Sequence, residues 1–333
     1  MPWGVVGHQA AIEALGREIK RGAVSHAYLL TGLARIGKST LALALAQALN
    51  CDEPSPPCRQ CRSCRLIARG THPDVRTYEL REGKSKISFK EVDDLQREAQ
   101  LRPFEGRYKV YLILDAELFS ATAANQLLKT LEEPPASVVL ILTASDAEAL
   151  LPTIVSRCRH LRLRPVPEAE IRQHLEAERQ LEPEQARLIA RLAGGRVGWA
   201  LDAATDPSLL DERAARLADL RQLLDGDRLA RLRVSRALAE RWSAKADTVR
   251  EALRAWISWW HDLSLVQAGL EEQVLNVDER PALHREAGRF DQMAGSRAVR
   301  RLEQALDDLD RNVNARLALD VALLGLPAPS ARP

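Results

Sequence analysis

The 333-residue sequence lacks the features that mark an exported, membrane-spanning or polybasic protein. Its first residues contain neither a basic segment nor an apolar one, so we expect no signal peptide. The longest apolar run covers residues 41–46, far short of the ~20 residues that span a bilayer. The 48 basic and 46 acidic side chains leave a net charge of only +2, which argues against a polybasic nucleic-acid or membrane binder. We therefore expect a soluble, cytoplasmic protein.

Aromatic residues and lysines are also scarce. Phe, Trp and Tyr together make up 4% of the chain, which disfavours a surface on which nucleic-acid bases stack. Arginine supplies 40 of the basic residues and lysine only 8, a bias typical of a GC-rich genome. The hydrophobic share of 46% and the length are those of an ordinary globular protein with two or three domains.

Four short apolar runs predict strands in the first half of the chain. They lie at residues 27–30, 75–80, 110–114 and 138–142, with helical patterns at 39–50, 88–101 and 121–131. Near-continuous runs of Val, Ile and Leu are typical of strands that are buried on both faces of a parallel sheet. We therefore predict an α/β domain over residues 1–165.

The composition changes after residues 164–167, Arg-Pro-Val-Pro, where two prolines favour a linker. A small helical module is predicted at 166–206, an all-helical bundle at 207–327 and a flexible tail at 328–333. In the bundle, Trp256, Trp259 and Trp260 share one helix face. This face either packs into the core or contacts another subunit.

Residues 32–40, Gly-Leu-Ala-Arg-Ile-Gly-Lys-Ser-Thr, match the full phosphate-binding pattern G-x-x-x-x-G-K-[ST]. The segment follows a predicted strand and precedes a predicted helix, which is the setting in which backbone N–H groups wrap a phosphate. Lys38 is expected to reach the phosphates and Ser39 to bind Mg²⁺. The predicted nucleotide-binding residues are Gly32, Gly37, Lys38, Ser39, Thr40 and, from a later strand, Asp115.

ATP hydrolysis also needs acidic groups at the end of a neighbouring strand. Asp115 follows the third predicted strand and can serve the metal, but Ala116 occupies the place of the glutamate that activates water. On an extended chain, Glu117 would point to the opposite face. The sequence therefore predicts a site that holds Mg-ATP and cleaves it poorly.

Four of the five cysteines, Cys51, Cys58, Cys61 and Cys64, fall within one short segment. In a chain without an export signal, such crowding indicates a metal site more than disulfides. Four thiolates supply the ligands of one tetrahedral Zn²⁺, and a set with no open position is structural rather than catalytic. Reduced buried cysteines and a redox pair are the alternatives.

Further motifs resemble bacterial clamp-loader ATPases of the AAA+ superfamily. The clearest are residues 125–135, Asn-Gln-Leu-Leu-Lys-Thr-Leu-Glu-Glu-Pro-Pro, and residues 156–158, Ser-Arg-Cys. Residues 6–9 (Val-Gly-His-Gln), 25–30 (Ser-His-Ala-Tyr-Leu-Leu) and 312–319 (Asn-Val-Asn-Ala-Arg-Leu-Ala-Leu) fit the same family, as does the cysteine cluster. The resemblance covers nearly the whole chain.

This resemblance implies a RecA-like AAA+ parallel-sheet domain with a zinc module at 51–64, a small helical lid at 166–206 and an all-α collar at 207–327. It also implies a hetero-pentameric ring with the gamma/tau motor subunits and the delta subunit, which places the sliding clamp on primed DNA during replication. In that ring, Arg157 is expected to be an arginine finger that reaches the ATP site of a neighbouring motor subunit. DNA-directed DNA polymerase (nucleotidyltransferase) activity would belong to the polymerase holoenzyme that contains the clamp loader and not to this chain.

Two departures from the motor-subunit pattern indicate which kind of subunit this is. The motor carries Asp-Glu where this chain has Asp115 and Ala116, and it carries a sensor arginine where this chain has Gly198. We therefore expect a non-hydrolysing stator subunit that binds structural Zn²⁺ and holds Mg-ATP or ADP statically. The alternatives are a gamma/tau-like AAA+ motor that hydrolyses ATP itself and a zinc-dependent nucleic-acid module. The resemblance also implies a polar residue called sensor-1 at the end of the fourth predicted strand, which is Thr143 or Ser145 here.

Overall fold

The structure is a computed structural model that describes residues 3–80, 87–311 and 313–329. The described residues divide into two compact units: one runs up to Ala186 and includes Ala193–Leu201, and the other comprises Arg187–Leu192 and the residues from Asp202 onward. Asn312 of the quoted motif and residues 330–333 of the predicted tail lie outside the described residues. No described helix is both long enough and apolar enough to cross a membrane.

The strands and the helices around them alternate along the first part of the chain. The strands are β1 (Ala27–Thr31), β2 (Val75–Tyr78), β3 (Lys109–Ile113), β4 (Val138–Ala144) and β5 (Arg159–Arg162). The helices are α1 (Gln9–Lys20), α2 (Lys38–Leu49), α3 (Arg62–Ala68), α4 (Phe89–Ala99), α5 (Ala121–Glu132), α6 (Pro152–Val155), α7 (Glu168–Arg179), α8 (Pro183–Ala193) and α9 (Val197–Thr205). A single 3-10 turn, Ala116–Leu118, follows β3.

Within the described residues, the five strands form one parallel sheet in the order β2-β3-β4-β1-β5. The predicted α/β domain and its four strands are confirmed. β5 escapes prediction because it reads Arg-His-Leu-Arg and lies at the edge of the sheet, where three of its four residues are exposed. Such a strand has no apolar run to reveal it.

Apolar side chains cover both faces of the sheet. In β1, Tyr28 and Leu30 belong to the cluster that includes α2, whereas Ala27 and Leu29 belong to the cluster that includes α4 and α5. This alternation follows from the two-residue repeat of a strand. Because all strands run the same way, the segments that follow β1, β3 and β4 meet at one edge, which is where ligands bind in open parallel sheets.

The second unit is helical, as expected for the C-terminal part. Its longer helices are α10 (Ser208–Asp225), α11 (Arg228–Ala244), α12 (Ala246–Gln267), α13 (Arg280–Ala287), α14 (Ala294–Asp310) and α15 (Ala315–Leu324), with 3-10 turns at Glu271–Gln273 and Val277–Glu279. Trp256, Trp259 and Trp260 are at most 2% exposed, so the core-packing interpretation is confirmed for them. The predicted domain boundaries at residues 165, 206 and 327 stay predictions.

Candidate functional site

The phosphate loop joins the end of β1 to the start of α2. Gly32 and Gly37 adopt φ values of 148° and 109°, a region that favours glycine, so the pattern places its two glycines where the backbone requires them. The Nζ of Lys38 donates to the carbonyl oxygens of Gly32 at 2.8 Å and Leu33 at 3.1 Å. Two hydroxyl residues, Ser39 and Thr40, are exposed at the first turn of α2. The loop therefore has the predicted shape, and its lysine bonds to its own carbonyls.

Two residues that lie far apart in sequence pack against this loop. The Nε2 atom of His8 lies 2.9 Å from the carbonyl oxygen of Ile36, and the backbone N–H of Gly198 donates to the carbonyl oxygen of Arg35 at 2.7 Å. A Cβ atom on Gly198 would lie 2.8 Å from that same oxygen. Position 198 therefore has no room for a side chain while α9 begins in this place.

The acidic segment after β3 differs from the sequence-based expectation. Asp115 adopts a left-handed φ of 50°, and the chain then enters the 3-10 turn at Ala116 instead of remaining extended. The prediction for the direction of Glu117 rested on an extended chain and is wrong in that respect. The Oε1 of Glu117 accepts a hydrogen bond from the backbone N–H of Ser145 at 2.8 Å. Ala116 is 1% exposed and packs into the core under α5.

Thr143 and Ser145, the two sensor-1 alternatives, have different surroundings. Thr143 is fully buried, and its Oγ1 accepts a hydrogen bond from the backbone N–H of Asp115 at 2.9 Å. Ser145 is exposed. Thr143 therefore links the ends of β3 and β4 at the edge where the phosphate loop lies. The assignment of sensor-1 to Thr143 or Ser145 stays a prediction.

The four clustered cysteines lie together. Their Sγ atoms are all within 4.8 Å of one another, and those of Cys58 and Cys64 are 4.0 Å apart. A tetrahedral site with Zn–S bonds of ~2.3 Å needs sulfurs about 3.8 Å apart, so a small adjustment would seat the ion. The sulfur of Cys58 accepts backbone N–H groups of Cys61 at 3.2 Å and of Gln60 at 3.4 Å. The donor set therefore fits structural zinc.

Hydrogen bonding and burial act differently on the cysteine thiols. The backbone N–H groups of Cys61 and Gln60 lower the pKa of Cys58 to about 7. Burial raises the pKa of Cys51 and of Cys64. A bound metal ion would deprotonate all the ligands regardless of these differences.

The cysteine module is bonded to the rest of the first unit. The side chain of Gln47, in the last turn of α2, donates to the carbonyl oxygen of Cys64 at 2.8 Å. Asn50 exchanges two hydrogen bonds with the backbone of Tyr108, at 3.0 and 3.1 Å, just before β3. Arg62 of α3 pairs with Glu105. The module therefore links the end of α2 to the segment that leads into β3.

Arg157 lies on the surface, shortly after the end of α6 at Val155 and far along the chain from the phosphate loop. Its Nη2 donates to Oε1 of Glu132 at 2.7 Å, and its Nη1 donates to the carbonyl oxygen of Thr153 at 2.9 Å. The Arg157 side chain is 35% exposed. The next residue, Cys158, packs against the core beneath α5, and burial raises its pKa to about 12, so it is an unreactive thiol.

The structure thus brings Gly32, Gly37, Lys38, Ser39 and Thr40 together with the segment that contains Asp115, and it brings the four cysteines together. Sequence reasoning does not identify three contacts: His8 with Ile36, Gly198 with Arg35, and Glu132 with Arg157. For His8 and Glu132 a signal was available, because both stand inside motifs that carry the family resemblance. The Gly198 contact has no signal in the chain, because it depends on tertiary packing.

Comparison with known proteins finds similar sequences among the subunits of DNA polymerase III. Residues 7–167 match the family model described as "DNA polymerase III, delta subunit". The DNA polymerase III subunit delta' of Bacillus subtilis (strain 168) is 29% identical over 95% of this chain and 94% of its own length. The subunit delta' of Escherichia coli (strain K12) is 36% identical over 57% of each chain. The subunit tau of Salmonella typhimurium is 37% identical over 59% of this chain, which covers only 31% of tau.

Proposed function

We propose that this chain, a member of the clamp-loader subunit family of DNA polymerase III, acts as the non-hydrolysing stator subunit of that loader. In this proposal it assembles with gamma/tau motor subunits and a delta subunit in a hetero-pentameric ring. The ring places the sliding clamp on primed DNA, and this chain supplies Arg157 in trans to a neighbouring ATP site. The likeness to delta' relatives, which in B. subtilis extends over almost the whole chain, supports this choice of subunit.

The observation that carries the proposal is the packing at Gly198. A hydrolysing motor needs an arginine at this place, according to the family resemblance, whereas here any side chain would meet the carbonyl oxygen of Arg35 at 2.8 Å. The loss of the water-activating glutamate at Ala116 is a second, independent deficit. The missing arginine would act on the transferring phosphoryl group and the missing glutamate on the attacking water, so the chain lacks both contributions to the transition state at its own site.

The phosphate loop itself remains suited to binding a nucleotide. When Mg-ATP or ADP is bound, the backbone of residues 32–38 and the ammonium group of Lys38 would hold the phosphates, and Ser39 and Asp115 would hold the magnesium ion. Lys38 must then exchange its bonds to Gly32 and Leu33 for phosphate oxygens. The site therefore supports static occupancy, which stabilises the first unit by mass action.

Arg157 is the group that would act in trans. Its guanidinium is on the surface, carries a permanent charge and presents several N–H donors to a phosphate. An arginine supplied in trans is worth 10³ to 10⁵ in rate in other phosphoryl-transfer systems, because it offsets the charge that develops on the transferring group. The zinc module, by contrast, has a structural role in this proposal.

The test is DNA- and clamp-stimulated ATP hydrolysis by the reconstituted loader. We compare loaders that contain Arg157→Ala, Lys38→Ala or the unmodified chain. Arg157→Ala is expected to lower kcat about a hundredfold or more, because the neighbouring site loses its finger, while Lys38→Ala changes kcat little. An exposed arginine on α7, Arg172→Ala, serves as the matched control.

The opposite result would support a second candidate, a gamma/tau-like motor. The intact phosphate loop and the 37% identity to tau subunits are the observations that favour this alternative. In that case Lys38→Ala would cause the large loss and Arg157→Ala would be silent.

A further inference from the structure

Glu132 is the acidic partner of the proposed finger. Its Oε1 lies 2.7 Å from the Nη2 of Arg157. We propose that Glu132 is a positioning residue that orients the Arg157 guanidinium for the neighbouring ATP site. This inference rests on the proposed function of Arg157 and assigns a role to a residue of the reaction that does not itself contact the phosphate.

The place of Glu132 in α5 is not explained by helix stability. It is the last residue of α5, and the next residue, Glu133, is followed by two prolines. A carboxylate at the C-terminal end of a helix is unfavourable, because the helix macrodipole is negative there. Since the local effect is adverse, the interaction that accounts for an acid at this position is the one with the guanidinium of Arg157.

The hydrogen bonds of Arg157 use three of the five N–H donors of its guanidinium and leave two available. Nη2 is bound to Glu132, and Nη1 is bound to the carbonyl oxygen of Thr153 at 2.9 Å and to the Oγ of Ser156 at 3.5 Å. Among the described residues, the Nε–H of Arg157 has no acceptor. A planar guanidinium has five N–H donors, so donors remain for phosphate oxygens while Glu132 keeps its bond. The geometry therefore fits simultaneous contact with Glu132 and with a phosphate.

The backbone on both sides of Arg157 is fixed. Ile154, in α6, is 1% exposed, and the backbone N–H of Arg157 donates to the Ile154 carbonyl oxygen at 3.1 Å. On the other side, Cys158 packs against the core. The long side chain is thus the mobile part of the finger. The hydrogen bond from Nη2 to Glu132 restricts the rotation of this side chain. The loader then loses less conformational entropy when the guanidinium binds the neighbouring ATP site.

The ion pair is suited to this role because it is not a stability element. The Arg157 and Glu132 side chains are 35% and 50% exposed, and pairs with such exposure contribute little to folding. Replacing Glu132 should therefore leave the chain folded, and the effect should appear in catalysis by the loader. This separates a positioning role from a purely structural one.

The test uses the reconstituted loader and measures kcat and KM for ATP under DNA and clamp stimulation. Glu132→Ala is expected to lower kcat about tenfold with KM unchanged, since misorientation of a catalytic group affects the transition state more than ground-state binding. Glu132→Gln should lose less, because it keeps an acceptor oxygen. Glu133→Ala, the exposed neighbour at the same helix end, is the matched control and should behave as the unmodified chain.

The double variant decides how Glu132 acts. In an Arg157→Ala background, Glu132→Ala should cause no further loss, because the residue that it orients is already gone. A further loss there would overturn the inference. So would an unchanged or raised kcat for Glu132→Ala beside a large loss for Arg157→Ala, and that result would leave the proposed function standing. An unchanged kcat for Arg157→Ala would overturn both the inference about Glu132 and the proposed function of Arg157.

Discussion

The phosphate loop and the cysteine cluster lie at opposite ends of helix α2. Lys38 is the first residue of this helix, and Cys51 follows its last residue by two positions, so about 18 Å of helix separates them. The cysteine cluster takes all of its ligands from residues 51–64 and brings their sulfurs within 4.8 Å. The phosphate loop, by contrast, is surrounded by groups from distant parts of the chain. His8 and Gly198 contact its backbone, and the hydrogen bond between Asp115 and Thr143 lies at the same edge of the sheet.

This difference separates a binding site that one segment builds from a catalytic site that the whole fold builds. The cysteine segment needs only its own turns to collect four sulfurs. A phosphate loop needs only its own turns to hold a phosphate, but hydrolysis requires an acid and an arginine that come from elsewhere. In the proposed function, the chain keeps the local features of the phosphate loop and lacks two distant groups, a glutamate at position 116 and an arginine at position 198. Loss of catalysis without loss of fold is therefore possible at this site and not at the cysteine cluster.

The largest effect is expected from removing one cysteine ligand. Structural zinc contributes a binding free energy on the order of 10 kcal/mol to folding, comparable with the 5–15 kcal/mol that stabilises a whole domain. Cys64→Ser should therefore bind no stoichiometric zinc, and the first unit should lose its cooperative urea transition. Lys38→Ala should retain that transition, because the hydrogen bonds of Lys38 to Gly32 and Leu33 lie within the loop and are worth about 1 kcal/mol each.

Cys158→Ser is the matched control, since it replaces a cysteine that is not a ligand. It should keep one zinc per chain by metal analysis. If Cys64→Ser and Lys38→Ala cost the same free energy of unfolding, the distinction between the two ends of α2 is wrong.

A smaller effect is expected from installing the motor pattern. Ala116→Glu forces a carboxylate into a position that is 1% exposed within a 3-10 turn, and Gly198→Arg forces a side chain against the Arg35 carbonyl. Overpacking typically costs about 1–3 kcal/mol per site. The double variant should therefore unfold at lower urea than the unmodified chain and show no ATP hydrolysis of its own.

Ala121→Glu, exposed at the first residue of α5, is the control for adding a carboxylate. Hydrolysis of ATP by the isolated double variant would contradict this view. It would mean that the missing groups alone, and not the packing around them, separate this chain from a motor.

The extent to which sequence predicts this molecule follows the same division. Strands β1, β3 and β4 are readable because nearly all of their residues are buried, whereas β5 is not, since an exposed edge strand needs no apolar residues. The phosphate-loop residues and the four cysteines are readable because their spacing is itself the site. The direction of Glu117 is not, because one left-handed residue, Asp115, turns the chain after β3. Packing at Gly198 is likewise decided by contacts that no local pattern contains.

Hydrogen bonds of His72 and Asp74 near the start of β2 hold the loop at residues 104–106, which contacts the cysteine module. His72 is buried, and its Nδ1 accepts a hydrogen bond from the backbone N–H of Asp74 at 3.1 Å. The carboxylate of Asp74 accepts the backbone N–H groups of residues 104–106. Burial would raise the pKa of Asp74, but these three bonds together outweigh it and lower that pKa. Glu105 in this loop also pairs with Arg62 of the module.

The smallest effect is a pH dependence that arises at His72. Burial lowers the pKa of His72 below the ordinary 6.5, so the folded chain takes up a proton on this ring at a lower pH than the unfolded chain does. As the pH falls through 6.5, the unfolded chain takes up a proton first, and the stability that is fully present above this pH is lost, by at most about 1.4 kcal/mol per pH unit. Urea unfolding between pH 8 and 5 should show this slope. His72→Asn, which keeps an acceptor for Asp74, should reduce it, whereas His284→Asn at an exposed position should not. Equal slopes in all three proteins would mean that this link does not sense protons, and that the support of the cysteine module is independent of pH in this range.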